Sequence, residues 1–167
     1  MLALHITSMK VFMNQLLTSD VFDIFLLEEA VITTANTITI DGHLNRDFYA
    51  AEELASWQPA DYEYTPWSML KGLCFHLIKG KHTPLSFKFI FHLKPEIAET
   101  LLTRESCSVD NSQIKALVLT VRYDGTKAQL TTGCAYRTFV MSKEPEQIWD
   151  KTISRYLADK EIPYETL

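Results

Sequence analysis

The sequence predicts an α+β protein with antiparallel-rich sheets and helices packed on one face. Two periodicities alternate along its 167 residues. Apolar residues recur at every second position in some segments, as in strands with one buried face, and at every third or fourth position in others, as in amphipathic helices. Asp-Gly pairs and prolines separate these segments, which is typical of short connections. Because 47% of the residues are hydrophobic, the chain can bury a substantial core.

Five elements are expected in the first half of the chain. Ser8 supplies an N-cap for the first helix, and Thr65-Pro66 supplies a capping hydroxyl and a first-turn proline for the last one. Asp41-Gly42 predicts a tight turn. The expected elements are a strand over residues 2–6, a helix over 9–17, a β-rich stretch over 22–40 interrupted at Glu28-Glu29, a short helix over 47–56 and a helix over 67–78.

The second half predicts three strands and two helices. Phe87, Phe89 and Phe91 alternate with other residues, which is the clearest strand pattern in the chain. Asp124-Gly125 predicts a hairpin turn between the last two strands. The expected elements are a strand over residues 85–93, a helix over 95–102, strands over 114–123 and 127–140, and a final helix over 144–160.

The chain length fits a single domain over residues 1–167. Two stretches share an element order, because each has a strand, a helix and further extended segments that end in an Asp-Gly pair. Pseudo-repeats of a β-α-β-β unit over about 1–60 and 61–143, followed by the helix over 144–160, explain this order; chance similarity between common units explains it as well. The element order also resembles that of DNA sliding-clamp domains, and this resemblance implies a fold only.

The chain is acidic overall, with a formal net charge of −5, yet its middle third is basic. Five lysines and three histidines lie between Glu63 and Glu96, with no acidic residue among them. This asymmetry indicates a surface that meets an anionic partner, whereas acids from elsewhere in the fold could instead balance the lysines. The pI near 5.5 argues against nucleic-acid binding, as does the lack of a basic helix.

The anion-binding candidates come from this basic island, residues 64–95. Lys88 and His92 share one face of the expected strand, and a loop that folds back would bring the preceding lysines beside them. If the loop folds back, we expect one compact cationic patch, which could hold a phosphate, a carboxylate or a nucleic-acid backbone. The candidates are Lys79, Lys81, His82, Lys88, His92 and Lys94.

No catalytic motif is found in the sequence, and no catalytic residue is assigned. Asp41 and His43 are the candidates for proton transfer, and the alternative is that both serve a turn. Cys74 lies on the apolar stripe of its helix and is expected in the core. The spacing of cysteines and histidines predicts no metal site, and no cofactor is predicted.

Two segments carry a family resemblance: residues 39–45 (TIDGHLN) and residues 77–85 (LIKGKHTPL). They resemble a family of short bacterial proteins of unknown function, and the similarity extends over most of the chain, as far as the helix that contains Trp149. The resemblance implies a bacterial cytosolic protein of about this length. It implies no activity, cofactor or catalytic residue.

Two functions are compatible with these observations. The first is a non-catalytic binding or assembly module whose partner is another protein or a second copy of the chain, bound through edge strands and the basic patch. The second is a small enzyme or ligand-binding protein that acts on an anionic metabolite. Three widely spaced cysteines, a start too short for a signal-peptide core and the lack of a membrane-length apolar run favour the cytoplasm.

Overall fold

The computed structural model describes all residues from 1 to 167 and contains five α-helices and eight strands. The helices are α1 (Met9–Leu17), α2 (Ala51–Ser56), α3 (Trp67–Ile78), α4 (Pro95–Arg104) and α5 (Glu144–Asp159). The strands are β1 (Ala3–Ile6), β2 (Phe25–Thr33), β3 (Thr37–Asp41), β4 (Thr65–Pro66), β5 (Ser86–Leu93), β6 (Ile114–Tyr123), β7 (Ala128–Tyr136) and β8 (Tyr164–Thr166). No helix combines the length and the apolar character that crossing a bilayer requires.

One antiparallel sheet joins all eight strands in the order β3-β2-β5-β6-β7-β1-β8, and β4 pairs with the start of β2. Strand β5 lies near its middle, with β2 on one side and β6 on the other. Strand β1 lies beyond β7 and pairs with β8. The predicted α+β class with an antiparallel-rich sheet is therefore confirmed, whereas the two pseudo-repeats and the sliding-clamp analogy stay predictions.

The core lies between the sheet and the helices. Phe89 and Phe91 on β5 are fully buried, and the Trp67 ring from α3 packs against them at centroid distances of 5.3 and 5.0 Å. Trp149 from α5 is also buried, and its indole N–H donates to the Val118 carbonyl at 2.8 Å. Each such side chain contributes roughly 1.5–3 kcal/mol relative to an exposed position. Because strand residues alternate, the opposite face of β5 and β6 stays partly exposed.

The segment after α1 differs from the prediction. Strand β2 runs through Glu28 and Glu29, where a bulge shifts its register with β5 instead of interrupting it. The chain then turns at residues 34–36, where the Thr34 N–H donates to the Asn36 carbonyl at 2.9 Å, and the expected continuous stretch becomes the β2–β3 hairpin. The segment predicted as a helix over 47–56 divides into a 3-10 turn at Arg46–Phe48 and helix α2. Strand β8 was not predicted.

The two Asp-Gly pairs have different structures. Gly125 forms the predicted hairpin turn, with a φ of 101°. Gly42 does not form the predicted tight turn, because Asp41 ends β3 and the Gly42 N–H extends the ladder by donating to the Glu28 carbonyl at 2.8 Å. A Cβ atom at Gly42 would lie 1.7 Å from the Leu27 carbonyl oxygen. Close approach of two strands, rather than a turn, therefore requires this glycine.

Candidate functional site

A groove of about 680 Å³ opens between α1, the end of α3 and the loop that leads into β5. This volume is in the range of small-molecule sites. Its apolar lining residues are buried or half-buried, whereas its basic residues are exposed. The basic residues are Lys10, Lys79, Lys81 and His82, and the apolar ones include Met9, Met13, Leu17, Phe75, Ile78 and Phe87.

Helix α1 forms one wall of the groove because its residues repeat at a spacing of four. Met9, Met13 and Leu17 lie on one stripe, and Lys10 begins the neighbouring stripe. Ser8 starts the helix as predicted, since its side chain accepts a main-chain hydrogen bond from the first turn. Methionine side chains are unbranched and flexible, so this wall of the groove can change its shape.

The loop after α3 supplies the cations of the basic island. Helix α3 ends at Ile78, and Lys79 takes the C-cap position with an extended backbone (φ −62°, ψ 133°). Gly80 follows this C-cap, and its φ is not positive. The extended backbone leads the chain away from the helix and leaves the side chains of Lys79, Lys81 and His82 exposed at the groove.

The groove carries uncompensated positive charge. No acidic residue lines it, and neither its three lysines nor His82 forms an ion pair. The Lys79 Nζ atom lies 5.4 Å from the centre of the Phe75 ring, a cation–π contact that holds the ammonium over the apolar lining. Charges beside an apolar wall are screened less than charges in open water, which favours a positive electrostatic potential in this region.

Lys88 lies elsewhere, on the open face of the sheet. Its Nζ atom is 2.9 Å from Oε2 of Glu29 on β2, which compensates its charge. Lys88 lines a second cavity of about 680 Å³, which we call the sheet-face cavity. The charged residues of the sheet-face cavity are Lys88, Arg122, Lys127, Asp124 and Glu165.

His92 and Lys94 line neither cavity. His92 is only 7% exposed, its Nε2 atom lies 2.5 Å from Oε2 of Glu28, and its ring packs edge-on against Tyr64 at 4.8 Å. Lys94 precedes helix α4, and its main-chain N–H donates to the Ile24 carbonyl at 3.0 Å. His92 therefore has a structural partner for its polar ring, and an anion cannot reach it from solvent without displacing Glu28 or Tyr64.

The expectation of one compact patch is wrong, because only Lys79, Lys81 and His82 share a cavity. Strand β2 places two acids beside β5 that are some sixty positions away in the sequence. Lys71 is compensated in the same way, with its Nζ atom 2.8 Å from Oδ1 of Asp23. Lys10 completes the groove from outside the basic island; its place next to the apolar stripe of α1 is the signal that could have identified it.

Asp41 and His43 contact each other at the end of β3. Oδ1 of Asp41 accepts from the His43 N–H at 3.0 Å and lies 2.7 Å from the His43 Nδ1 atom. The main-chain hydrogen bond from His43 is the largest of the effects that lower the pKa of Asp41. The His43 ring packs on Tyr64 at 4.6 Å, and burial followed by the charge of Glu28 raises the pKa of Tyr64 to about 12. Asp41 and His43 line neither cavity, and their role in proton transfer stays a prediction.

Two further side chains, Cys74 and Tyr136, have buried polar atoms. Cys74 is fully buried, as predicted, and burial raises the pKa of its thiol to about 12. The Tyr136 hydroxyl is buried without a hydrogen-bond partner. No group of three or more His, Cys, Asp or Glu side chains converges as ligands for a metal ion.

Comparison with known proteins places the chain in a family. Neither the curated proteins nor the solved structures give a match. The model of a family of unknown function, DUF5721, matches residues 15–165. This range includes the groove residues from Leu17 onwards but not Met9, Lys10, Met13 and Asn14 on α1. The matched region covers nearly the whole chain, as the sequence resemblance implied. The chain belongs to the DUF5721 family, whose function is unknown.

Proposed function

We propose that the protein is a non-catalytic binding module whose groove holds an apolar anion. The partner carries a carboxylate or phosphate next to an apolar part, either as a small molecule or as the acidic, apolar segment of another protein. One observation supports this proposal above all others: Lys10, Lys79, Lys81 and His82 line an otherwise largely apolar groove that contains no acidic residue.

Both parts of the ligand are needed for measurable affinity. An exposed charge pair contributes only about 0.2–1 kcal/mol, so inorganic phosphate alone gains little at these lysines. Apolar contact contributes roughly 25 cal/mol per Å² removed from water, but association itself has a large entropic cost. An apolar chain without a charged group therefore also binds weakly. A ligand that combines the two uses the cations and the methionine-lined wall together.

The alternative of a small enzyme acting on an anionic metabolite has less support. Among the groove residues, His82 is the typical general acid or base, and no carboxylate lies in the groove to orient it. Asp41 and His43 lie outside the groove, so the two parts of that hypothesis do not share a cavity. A bacterial cytoplasm stays the expected compartment, where the free thiols of the three cysteines persist.

Calorimetric titration with octanoate tests this proposal. We expect octanoate and octyl phosphate to bind, and octanol and inorganic phosphate to bind at least tenfold more weakly. The double variant Lys79→Ala/Lys81→Ala removes two charge contacts and should weaken octanoate about tenfold, since 1.4 kcal/mol corresponds to a factor of ten. Lys151→Ala, an exposed lysine of α5 outside the groove, is the matched control and should leave the affinity unchanged.

A peptide that ends in Leu-Leu-Glu distinguishes a protein segment from a free ligand. Tighter binding of this peptide than of octanoate favours a protein partner, and the reverse favours a small molecule. Equal binding of octanoate to the wild type and the double variant, or the absence of binding by both probes, contradicts the proposal. Turnover of octyl phosphate to octanol would instead support the enzyme alternative.

A further inference from the structure

The two edges of the sheet are built differently. Strand β8 is three residues long, follows Pro163 and carries Glu165, and short, charged or proline-flanked edges resist pairing with other chains. Strand β3 is five residues long and contains neither proline nor lysine. Its first four residues, Thr-Ile-Thr-Ile, are β-branched and uncharged, and all but Ile40 are exposed. Apart from Asp41 at its end, strand β3 therefore lacks the features that normally protect an edge.

The hydrogen bonds of β3 show which backbone groups are free. The Gly42 N–H donates to the Glu28 carbonyl, and the Thr34 N–H donates to the Asn36 carbonyl. In this register, the backbone groups of the even-numbered residues of β3 point towards β2. The side to which backbone N–H and C=O groups point alternates from one residue to the next along a strand. The backbone groups of Ile38 and Ile40 therefore also bond to β2. The N–H and C=O groups of Thr37, Thr39 and Asp41 then point away from the sheet.

The sequence of β3 is nearly symmetric about Thr39. In an antiparallel pair of two such strands centred on Thr39, each Thr39 faces the other, Thr37 faces Asp41, and Ile38 faces Ile40. The three outward residues of each strand then form three hydrogen-bonded pairs with two bonds each. No charge faces a like charge, whereas a pairing centred on Asp41 would oppose two carboxylates. Charge thus disfavours the centre on Asp41, and only the centre on Thr39 pairs all three outward residues of one β3 with those of the other.

The side chains of β3 also fit this arrangement. Ile38 and Ile40 pair with Ile32 and Ala30, which are buried on the helix side of the sheet. Ile38 is nevertheless 37% exposed, because no strand lies beyond it. A second copy would place its Ile40 against this Ile38, and the reverse, so that one symmetric contact covers both.

We propose that β3 is a self-association surface, through which two copies of the chain pair antiparallel about Thr39 and continue one sheet across the dimer. The occupant is a second copy because the strand is complementary to itself in hydrogen bonds, charge and apolar contact. Because the contact is small, the dimer is weak, and the fraction of dimer rises with protein concentration. This proposal does not depend on the groove or on its ligand.

Sedimentation equilibrium of the wild type and two proline variants tests this proposal. Thr39→Pro removes an outward N–H and leaves the bonds to β2 intact, so it should abolish the dimer while the circular dichroism is unchanged. Thr166→Pro is the matched control at the other edge. The Leu167 N–H donates to the Ala3 carbonyl, so Thr166 also faces outward, and this variant should still form the dimer.

A cysteine variant gives an answer that does not depend on proline. Thr39→Cys places two thiols at the centre of the proposed contact, and mild oxidation should cross-link most of the protein. Thr126→Cys, in the exposed β6–β7 turn, should cross-link no faster than the wild type, whose own cysteines are buried or half-buried. A wild type that stays monomeric at the highest concentration overturns the proposal, as does equal dimerisation of Thr39→Pro or equal cross-linking of the two cysteine variants.

Discussion

The groove and the sheet-face cavity have the same volume, about 680 Å³, and both extend to Phe87 and Tyr123, yet their charges differ. The groove contains cations without acids. The sheet-face cavity contains Lys88, which is paired with Glu29, and two further acids among its lining residues. The cations of the groove therefore remain available to a ligand, whereas those of the sheet-face cavity are largely balanced within the protein.

The difference arises from the type of element that carries each cation. Lys88 lies within a strand, where a cross-strand neighbour can supply an acid from a distant part of the sequence. Lys81 and His82 lie in a loop and Lys79 at a helix end, so no strand pairs with them. The basic residues in the loop after α3 thus stay uncompensated, whereas Lys88 on β5 is paired with an acid from β2, and Lys71 within α3 is paired with Asp23.

The largest expected effect comes from removing the wall that the two cavities share. Phe87 is 3% exposed and stacks on Tyr123 at 5.0 Å. Phe87→Ala should lower the free energy of unfolding by about 3–5 kcal/mol, because burial is lost and a void remains. Urea denaturation measures this change. Leu85→Ala, at a neighbouring residue that is 65% exposed, should change stability by no more than about 0.5 kcal/mol. Equal effects of the two changes would contradict the shared wall.

A smaller change in stability is expected for Glu29→Gln, which should make the sheet-face cavity more like the groove. Glu29→Gln removes the partner of Lys88 and leaves two cations, Lys88 and Arg122, opposite each other on neighbouring strands. Stability should fall by only about 0.2–1 kcal/mol. In an NMR titration with inorganic phosphate, the amide signals of these two residues should shift in this variant and not in the wild type.

Glu99→Gln is the control for this change, since Glu99 is exposed on α4 and forms no ion pair. It removes the same charge without freeing Lys88. Phosphate shifts of similar size in both variants would show that overall charge, rather than the Lys88–Glu29 pair, controls anion access to the sheet face.

The smallest effect concerns the acid at the turn of the sheet-face cavity. Main-chain hydrogen bonds from Lys127 and Thr126 lower the pKa of Asp124 from 3.8 to about 2. Because the folded pKa is the lower one, Asp124 contributes stability above pH 3.8, and this contribution is lost as the pH falls towards 2. Asp124→Asn should therefore differ from the wild type most at neutral pH, and the difference in urea midpoint should shrink between pH 4 and pH 2.

Asp47→Asn provides the comparison for this pH dependence, because Asp47 is exposed on a short 3-10 turn. Its difference from the wild type should not follow the same profile. A difference for Asp124→Asn that stays constant down to pH 2 would show that hydrogen bonding at the turn does not depend on the charge of Asp124.

Local sequence patterns predicted most of the elements. The spacing of apolar residues located α3 at Trp67–Ile78 and the alternation on β5, because both depend on which side chains face a core. The turn at residues 34–36 was missed, since threonines favour extended backbone on both sides of it. Asp41-Gly42 was misassigned because a glycine serves a turn and a close strand approach equally well, and only the neighbouring Leu27 carbonyl decides between them.

The site was predicted in part for the same reason. Lys79, Lys81 and His82 were identified because they lie close together along the chain, and a short loop keeps them close in space. Lys10 was missed because it is far from them in sequence and meets them only when α1 packs beside the end of α3. Lys88 and His92 were misplaced because their acidic partners come from β2.

The sequence by itself determined the fold class, the bounds of the strongly periodic elements and the presence of unbalanced positive charge in the middle of the chain. These properties depend on spacing and composition within about twenty residues. The tertiary structure alone decided which charges are compensated, which of the two Asp-Gly pairs forms a turn and which strands lie at the edges of the sheet. Those outcomes depend on contacts between residues far apart in the chain, and such contacts leave no local periodicity in one sequence.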